Sequence, residues 1–147
     1  MIRLGTGSRR EAWLREDGLV ALRARPGAII TAAEWAAHAV RLRWCMDLGL
    51  RVPRVHEVRP DGLLVDRVPG PSMREVQRAG RLSPVQGRAL QALVHAMVAH
   101  ATYVGDLNPR NLVWHQGAWW IIDCGALRQP RSAEYIRRKM AKKWKRS

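Results

Sequence analysis

The sequence predicts an α+β protein in two lobes. Residues 1–68 form a small antiparallel sheet with one helix, and residues 69–147 form a second, mostly helical lobe. Three observations lead there. Short apolar runs separated by glycine and aspartate turns dominate the first half, as in an antiparallel sheet. Pro69-Gly70-Pro71 is the strongest breaker cluster in the chain and divides it. Beyond it, apolar residues recur at three- and four-residue spacing, the period of a helix face.

The chain opens on Leu4-Gly5-Thr6-Gly7-Ser8, two glycines one residue apart. A glycine loop between antiparallel strands can lay backbone N–H groups over a phosphate, because a missing Cβ allows close approach. Leu14 and then residues 19–22 supply strand residues around an Asp17-Gly18 turn. Thr31 is placed to cap a helix, with Glu34 three residues on as its capping-box partner. Ala32, Trp35, Ala36, Ala39 and Val40 form a stripe on that helix, which should run to about Leu48, before Gly49. Residues 52–58 and 63–68, joined through Pro60-Asp61-Gly62, read as a second hairpin with His56 on its surface. Residues 72–79 predict a short helix. Ser83 then caps a longer one with Pro84 at its first position. Its core face is Leu90, Leu93, Val94, Met97, Val98 and Ala101, and His95 and His100 fall off it into solvent.

That helix leads into the chemically loaded part of the chain. Asp106 stands five residues before Asn111, and Asp123 ends an apolar run. Two apolar segments, residues 112–114 and 118–122, flank His115-Gln116-Gly117, whose glycine suits a hairpin turn. Folding that hairpin would return Asp123 to the neighbourhood of Asn111 and Asp106. Three oxygen-bearing side chains at one mouth are what a magnesium–nucleotide site needs: hard ligands for the ion and a base for a hydroxyl.

Gly105-Asp106-Leu107 with Asn111, followed by Ile121-Ile122-Asp123-Cys124-Gly125, resembles the catalytic loop and metal-binding strand of the protein-kinase-like superfamily. There the motifs read H-R-D-x-x-x-x-N and D-F-G. The Gly-Asp form with a proline before the asparagine is the variant of small bacterial and aminoglycoside-type kinases. A short basic ending is also similar to small RIO-like bacterial kinases and lipopolysaccharide-core sugar kinases. The resemblance follows the order of parts along nearly the whole chain, and its specific motifs are confined to residues 105–111 and 121–125.

The resemblance implies a two-lobed protein-kinase-like fold and an ATP- and Mg-dependent kinase. The acceptor would be a serine/threonine protein or a sugar hydroxyl. Asp106 would be the catalytic base beside Asn111, and Asn111 and Asp123 would hold magnesium. Gly5, Gly7 and Ser8 would cover the phosphates, although Arg10 stands at the third glycine position. Arg23, in Val20-Ala21-Leu22-Arg23, takes the place of the V-A-I-K lysine that pairs with the phosphates. A forked guanidinium is wider and differently directed than a compact ammonium. Glu34 would be the helix acid that pairs with this cation, against its simpler role as a cap. Asp66 and Val68 would form the hinge at the adenine edge. Val104 takes the place of a packing histidine. The peptide-docking platform of a full protein kinase is expected to be missing.

Composition sets the remaining bounds. A net charge of +14 on 147 residues points to anionic partners: nucleotide, RNA or a membrane surface. Arginine is spread along the chain whereas all four lysines lie at or after Lys139, a bias that fits a GC-rich bacterial genome. Cys45 and Cys124 offer neither a disulfide framework nor metal-ligand spacing, so a reducing cytoplasm is expected. The first residues lack the apolar core of a signal peptide, and no run suffices to span a bilayer. Ile136, Met140 and Trp144 recur every four residues in a strongly basic tail, the pattern of a basic amphipathic helix. That helix either closes the second lobe or draws residues 131–147 to anionic lipid at the inner membrane surface or to RNA. Two rivals to an active kinase follow. One is a catalytically weak, nucleotide-binding scaffold, a pseudokinase. The other is a basic nucleic-acid or membrane-surface module.

Overall fold

Tight turns and apolar strands build a five-stranded antiparallel sheet in the computed structural model, which describes residues 1–145. The last two residues of the basic tail, Arg146 and Ser147, lie outside the described part. The chain forms two compact units, residues 1–43 with 53–67, and residues 44–52 with 68–147.

In the first unit, strands β1 (Ile2–Thr6), β2 (Arg10–Leu14), β3 (Val20–Ala24), β4 (Val55–Arg59) and β5 (Gly62–Val65) lie in the order β1-β2-β3-β5-β4. The β2–β3 turn works because Gly18 adopts φ +84° and the Asp17 carboxylate accepts the Leu19 N–H at 3.1 Å. Gly62 pairs with Arg23 across the β3–β5 ladder, where a Cβ would run into the Leu22 carbonyl oxygen.

Helix α1 (Ala32–Asp47) begins with the expected capping box. The Thr31 N–H donates to Glu34 Oε2 at 2.9 Å, and the Glu34 N–H donates to Thr31 Oγ1 at 3.2 Å. Its buried residues are Trp35, His38, Ala39, Leu42 and Cys45, whereas Ala32, Ala36 and Val40 are exposed. The buried stripe is therefore rotated from the expected one. Trp35 and Leu42 remove far more apolar area from water than alanines do. His38 can join them because burial first, then Arg10 and Arg41, push its pKa down to about 3 and keep it neutral.

The second unit holds α2 (Met73–Ala79), α3 (Pro84–Ala99) and α4 (Ala133–Lys143). It also has two small ladders, β6 (Tyr103–Val104) with β9 (Leu127–Arg128), and β7 (Leu112–His115) with β8 (Ala118–Ile121). Ser72, Ser83 and Ser132 each cap a helix through the N–H three residues on, and Ser83 forms a full box with Gln86. Leu90, Leu93 and Met97 of α3, Ile136 and Met140 of α4, and Leu107, Leu112 and Ile121 are buried in this unit. The basic helix α4 is thus docked by its apolar face, with Tyr135 edge-on to Tyr103 at 5.6 Å. Trp119 is buried, and its indole N–H finds the Gln86 carbonyl at 2.9 Å. His95 and His100 are exposed, as expected. Cys45 and Cys124, 79 residues apart in sequence, are both buried with Sγ atoms 3.6 Å from each other. No helix among the described residues is long and apolar enough to cross a membrane.

Candidate active site

The Asp106 loop is shaped by its own polar side chains. Helix α3 ends at His100, and the buried pair Tyr103-Val104 leads to Gly105 and then to Asp106 with φ +56°. A left-handed backbone is uncommon for a residue with a Cβ, though Asp tolerates it better than most. It turns the chain so that Leu107 is fully buried while Asp106 stays exposed. The Asn108 side chain accepts the Arg110 N–H at 3.0 Å, and the Asn108 carbonyl accepts the Asn111 N–H at 3.0 Å. Asn111 then closes the loop: its Nδ2 donates to the Asp106 carbonyl at 2.8 Å. With the amide nitrogen committed there, Asn111 Oδ1 is the atom left to meet a cation.

Hairpin β7–β8 returns the chain to this loop. Its two-residue turn, Gln116 at φ +50° and Gly117 at φ +72°, has the positive angles that suit the twist of a tight hairpin. Two tie points then bracket Asp123. On one side the Ile122 N–H donates to the Asn111 carbonyl at 2.9 Å. On the other the Gly125 N–H donates to the Gly105 carbonyl at 2.9 Å, and the Gly105 N–H donates to the Ala126 carbonyl at 3.0 Å.

Gly125 does more than turn the chain. A Cβ there would lie 2.5 Å from Asp106 Oδ2 and 3.0 Å from its Cγ. The Asp106 carboxylate therefore rests against bare backbone two residues beyond Asp123. The structure so brings the segments bearing Asp106, Asn111 and Asp123 onto one patch of backbone. Asp123 itself is half-buried.

In the first unit, Gly5 lies in β1 opposite Ala12, and Gly7 and Ser8 lie on the β1–β2 turn; all three are exposed. The Gly7 N–H donates to the Arg10 carbonyl at 2.7 Å, and Arg25 holds the Gly7 carbonyl at 2.9 Å. Arg23 lies 5.4 Å over the Trp13 ring, with Nη2 3.1 Å from Met1 Sδ. Glu34 meets Arg9, at 3.1 Å, besides its Thr31 cap. The Thr31 N–H and then Arg9 and Arg10 hold the Glu34 carboxyl below its ordinary range, against the opposing pull of desolvation. Arg10 stacks at 5.8 Å on Trp35. Asp66 accepts from Arg54 N–H at 3.3 Å and pairs with His56 at 2.5 Å. Val68 is half-buried in the second unit.

Sequence reasoning missed Arg9 as the partner of Glu34, since the two are 25 residues apart. It also missed a cationic cleft formed by Arg74, Arg78, Arg110, Lys143 and Lys145. Part of that signal was present, because Arg74 and Arg78 stand four apart on one face of α2.

A five-stranded antiparallel sheet with one helix, then a largely helical unit whose loop and hairpin present Asp106, Asn111 and Asp123, make up a kinase-like α+β fold. Solved structures share it. Rio2 kinase from Chaetomium thermophilum, in its ADP/Mg2+-phosphoaspartate complex, matches 97% of this chain and 52% of its own, with TM-score 0.68 and 16% identity. Rv3197 from Mycobacterium tuberculosis, in complex with erythromycin, matches 87% of this chain and 46% of its own, with TM-score 0.62 and 16% identity. At this identity the likeness is one of fold, and the chain spans about half the length of either protein. No protein-family model matches the sequence, and no curated protein does.

Proposed function

We propose that the chain binds a magnesium–nucleotide and transfers the γ-phosphoryl group of ATP to a hydroxyl. The observation that carries this reading is the contact of the Asp106 carboxylate with Gly125, which joins the two motifs. The donor set fits the ion: the Asp123 carboxylate and the Asn111 amide oxygen are hard ligands of the kind magnesium takes. Asn111 and Asp123 would hold it, and magnesium when bound neutralises charge on the phosphates. Asp106 would orient the acceptor hydroxyl and take its proton. Arg23, Gly5 of β1 and Gly7 and Ser8 of the turn after it would bind phosphate oxygens, with Glu34 shaping that end through Arg9. Asp66 and Val68 would offer groups to the adenine edge. Serine/threonine protein and sugar hydroxyls both stay open as acceptors. That the Rio2 neighbour was solved with ADP and Mg2+ supports the choice of ligand.

One observation favours a second reading, a catalytically weak protein that binds nucleotide and scaffolds a partner. Arg23 stacks on Trp13 while Glu34 pairs with Arg9, so the strand cation and the helix acid have different partners. Calorimetric titration of ATP with magnesium into wild type and Asp123→Ala tests the first reading. Binding should be lost in the variant, and equal binding in both removes the basis of the proposal. Turnover of Arg23→Lys separates the two readings: a large gain marks the natural protein as the weak form.

A further inference from the structure

Beside the Asp106 loop the second unit has a cleft of about 740 Å³, a size typical of small-molecule sites. Arg74 and Arg78 of α2, Arg110 of the loop, Lys143 at the end of α4 and Lys145 just past its cap line it. None of the lining residues is an aspartate or glutamate, so five cations face one another without a carboxylate among them. The crowding is felt: Arg110 and Arg78, then desolvation, push the Arg74 guanidinium below its ordinary pKa.

The walls of the cleft are tied together. The Arg74 N–H donates to the Pro109 carbonyl at 3.1 Å, linking α2 to the loop. Gln77 Nε2 donates to the Trp144 carbonyl at 3.3 Å, linking α2 to the end of α4. The Trp144 indole N–H donates to the Leu107 carbonyl at 2.6 Å, linking α4 back to the loop. Three hydrogen bonds among three elements hold like charges close, an arrangement whose repulsion is relieved by a bound anion. Guanidinium forks match the oxygens of a phosphate, and fixed walls lower the ordering cost of binding one. A concave site of this size fits a small phosphorylated molecule better than a polymer, which needs an extended track.

We propose that this cleft binds the phosphate group of a small phosphorylated acceptor, and so names the substrate class of the Asp106 loop. The acceptor role rests on the phosphotransferase reading above, whereas anion binding by the cleft does not. Pyrophosphate, titrated calorimetrically into the full chain without nucleotide or metal, is the probe. It should bind the wild type about one to one. Arg78→Glu and Arg74→Ala should each weaken it by about tenfold or more, as loss of a charge-assisted contact does. Arg3→Glu, an exposed change on β1, should cost about twofold or less, as expected of a screened distant charge. Equal losses in Arg78→Glu and Arg3→Glu would reduce the effect to net charge and overturn the site. Tight binding of a short RNA that pyrophosphate fails to displace would overturn the small-molecule assignment. Unchanged melting temperatures separate a lost contact from a lost fold, and Arg78→Lys, which keeps the charge, should recover part of the affinity. If pyrophosphate binds as expected while ATP–magnesium binding is equal in wild type and Asp123→Ala, the anion site stands and its acceptor role falls.

Discussion

Replacing Gly125 by alanine tests the join between the two motifs directly. Gly125 has no positive φ, so the substitution adds a methyl group without left-handed backbone strain. That methyl carbon would lie 2.5 Å from Asp106 Oδ2, about 0.9 Å inside an ordinary contact of 3.4 Å. The clash is with the far end of an exposed side chain, which can swing away at small cost. We expect a stability loss of about 1 kcal/mol or less, at the low end for overpacking. The carboxylate, however, must move by close to 1 Å, and under the proposed phosphotransferase reading a misplacement of that size costs roughly 10²-fold in rate, or about 2.7 kcal/mol in the barrier. Thermal melting and ATP turnover measured on one preparation separate these effects. A Gly125→Ala variant that melts and turns over like the wild type refutes the claim that this contact positions Asp106.

Three further outcomes follow from the structure. Gly70→Ala should destabilise by about 3 kcal/mol or more in chemical denaturation, since its Cβ meets the Trp114 backbone carbonyl at a φ of +148°; a loss below about 1 kcal/mol would mean the segment shifts freely. His38, neutral in the fold with a pKa near 3 against 6.5 unfolded, contributes stability that is fully present above pH 6.5. That contribution declines as pH falls toward 3, because the unfolded chain takes up the proton first, with a slope approaching about 1.4 kcal/mol per pH unit. His38→Gln should flatten the denaturation-midpoint profile between pH 6 and 4, and an unchanged slope contradicts the buried neutral imidazole. Trp144→Phe removes the N–H that holds the Leu107 carbonyl; it should cost about 1–3 kcal/mol for an unsatisfied acceptor and speed hydrogen exchange in the Asp106 loop.

Local chemistry made much of this protein readable in advance. The Ser83 box with Pro84, the Thr31–Glu34 box and the Gln116-Gly117 turn involve residues no more than three apart, so residue type alone points to them. The motifs at residues 105–111 and 121–125 could be read for the same reason, each being a short run whose spacing implies a loop or a strand end. Even the α1 stripe was partly legible, through Trp35 and Ala39. Its true direction was not, because a histidine joins a core only when its surroundings suppress its charge, and that takes burial by the fold together with Arg10 of β2 as well as its helix neighbour Arg41.

Residue order alone thus carried the helices, the turns and the identity of the acids and amide, since those depend on interactions within a few bonds. Folding settled which charges meet: Glu34 with Arg9 rather than Arg23, Cys45 against Cys124, and five scattered cations around one cleft. Electrostatic and packing energies depend on distance in space. Separations of 25 to 79 residues along the chain say nothing about such distances until the backbone has closed its loops.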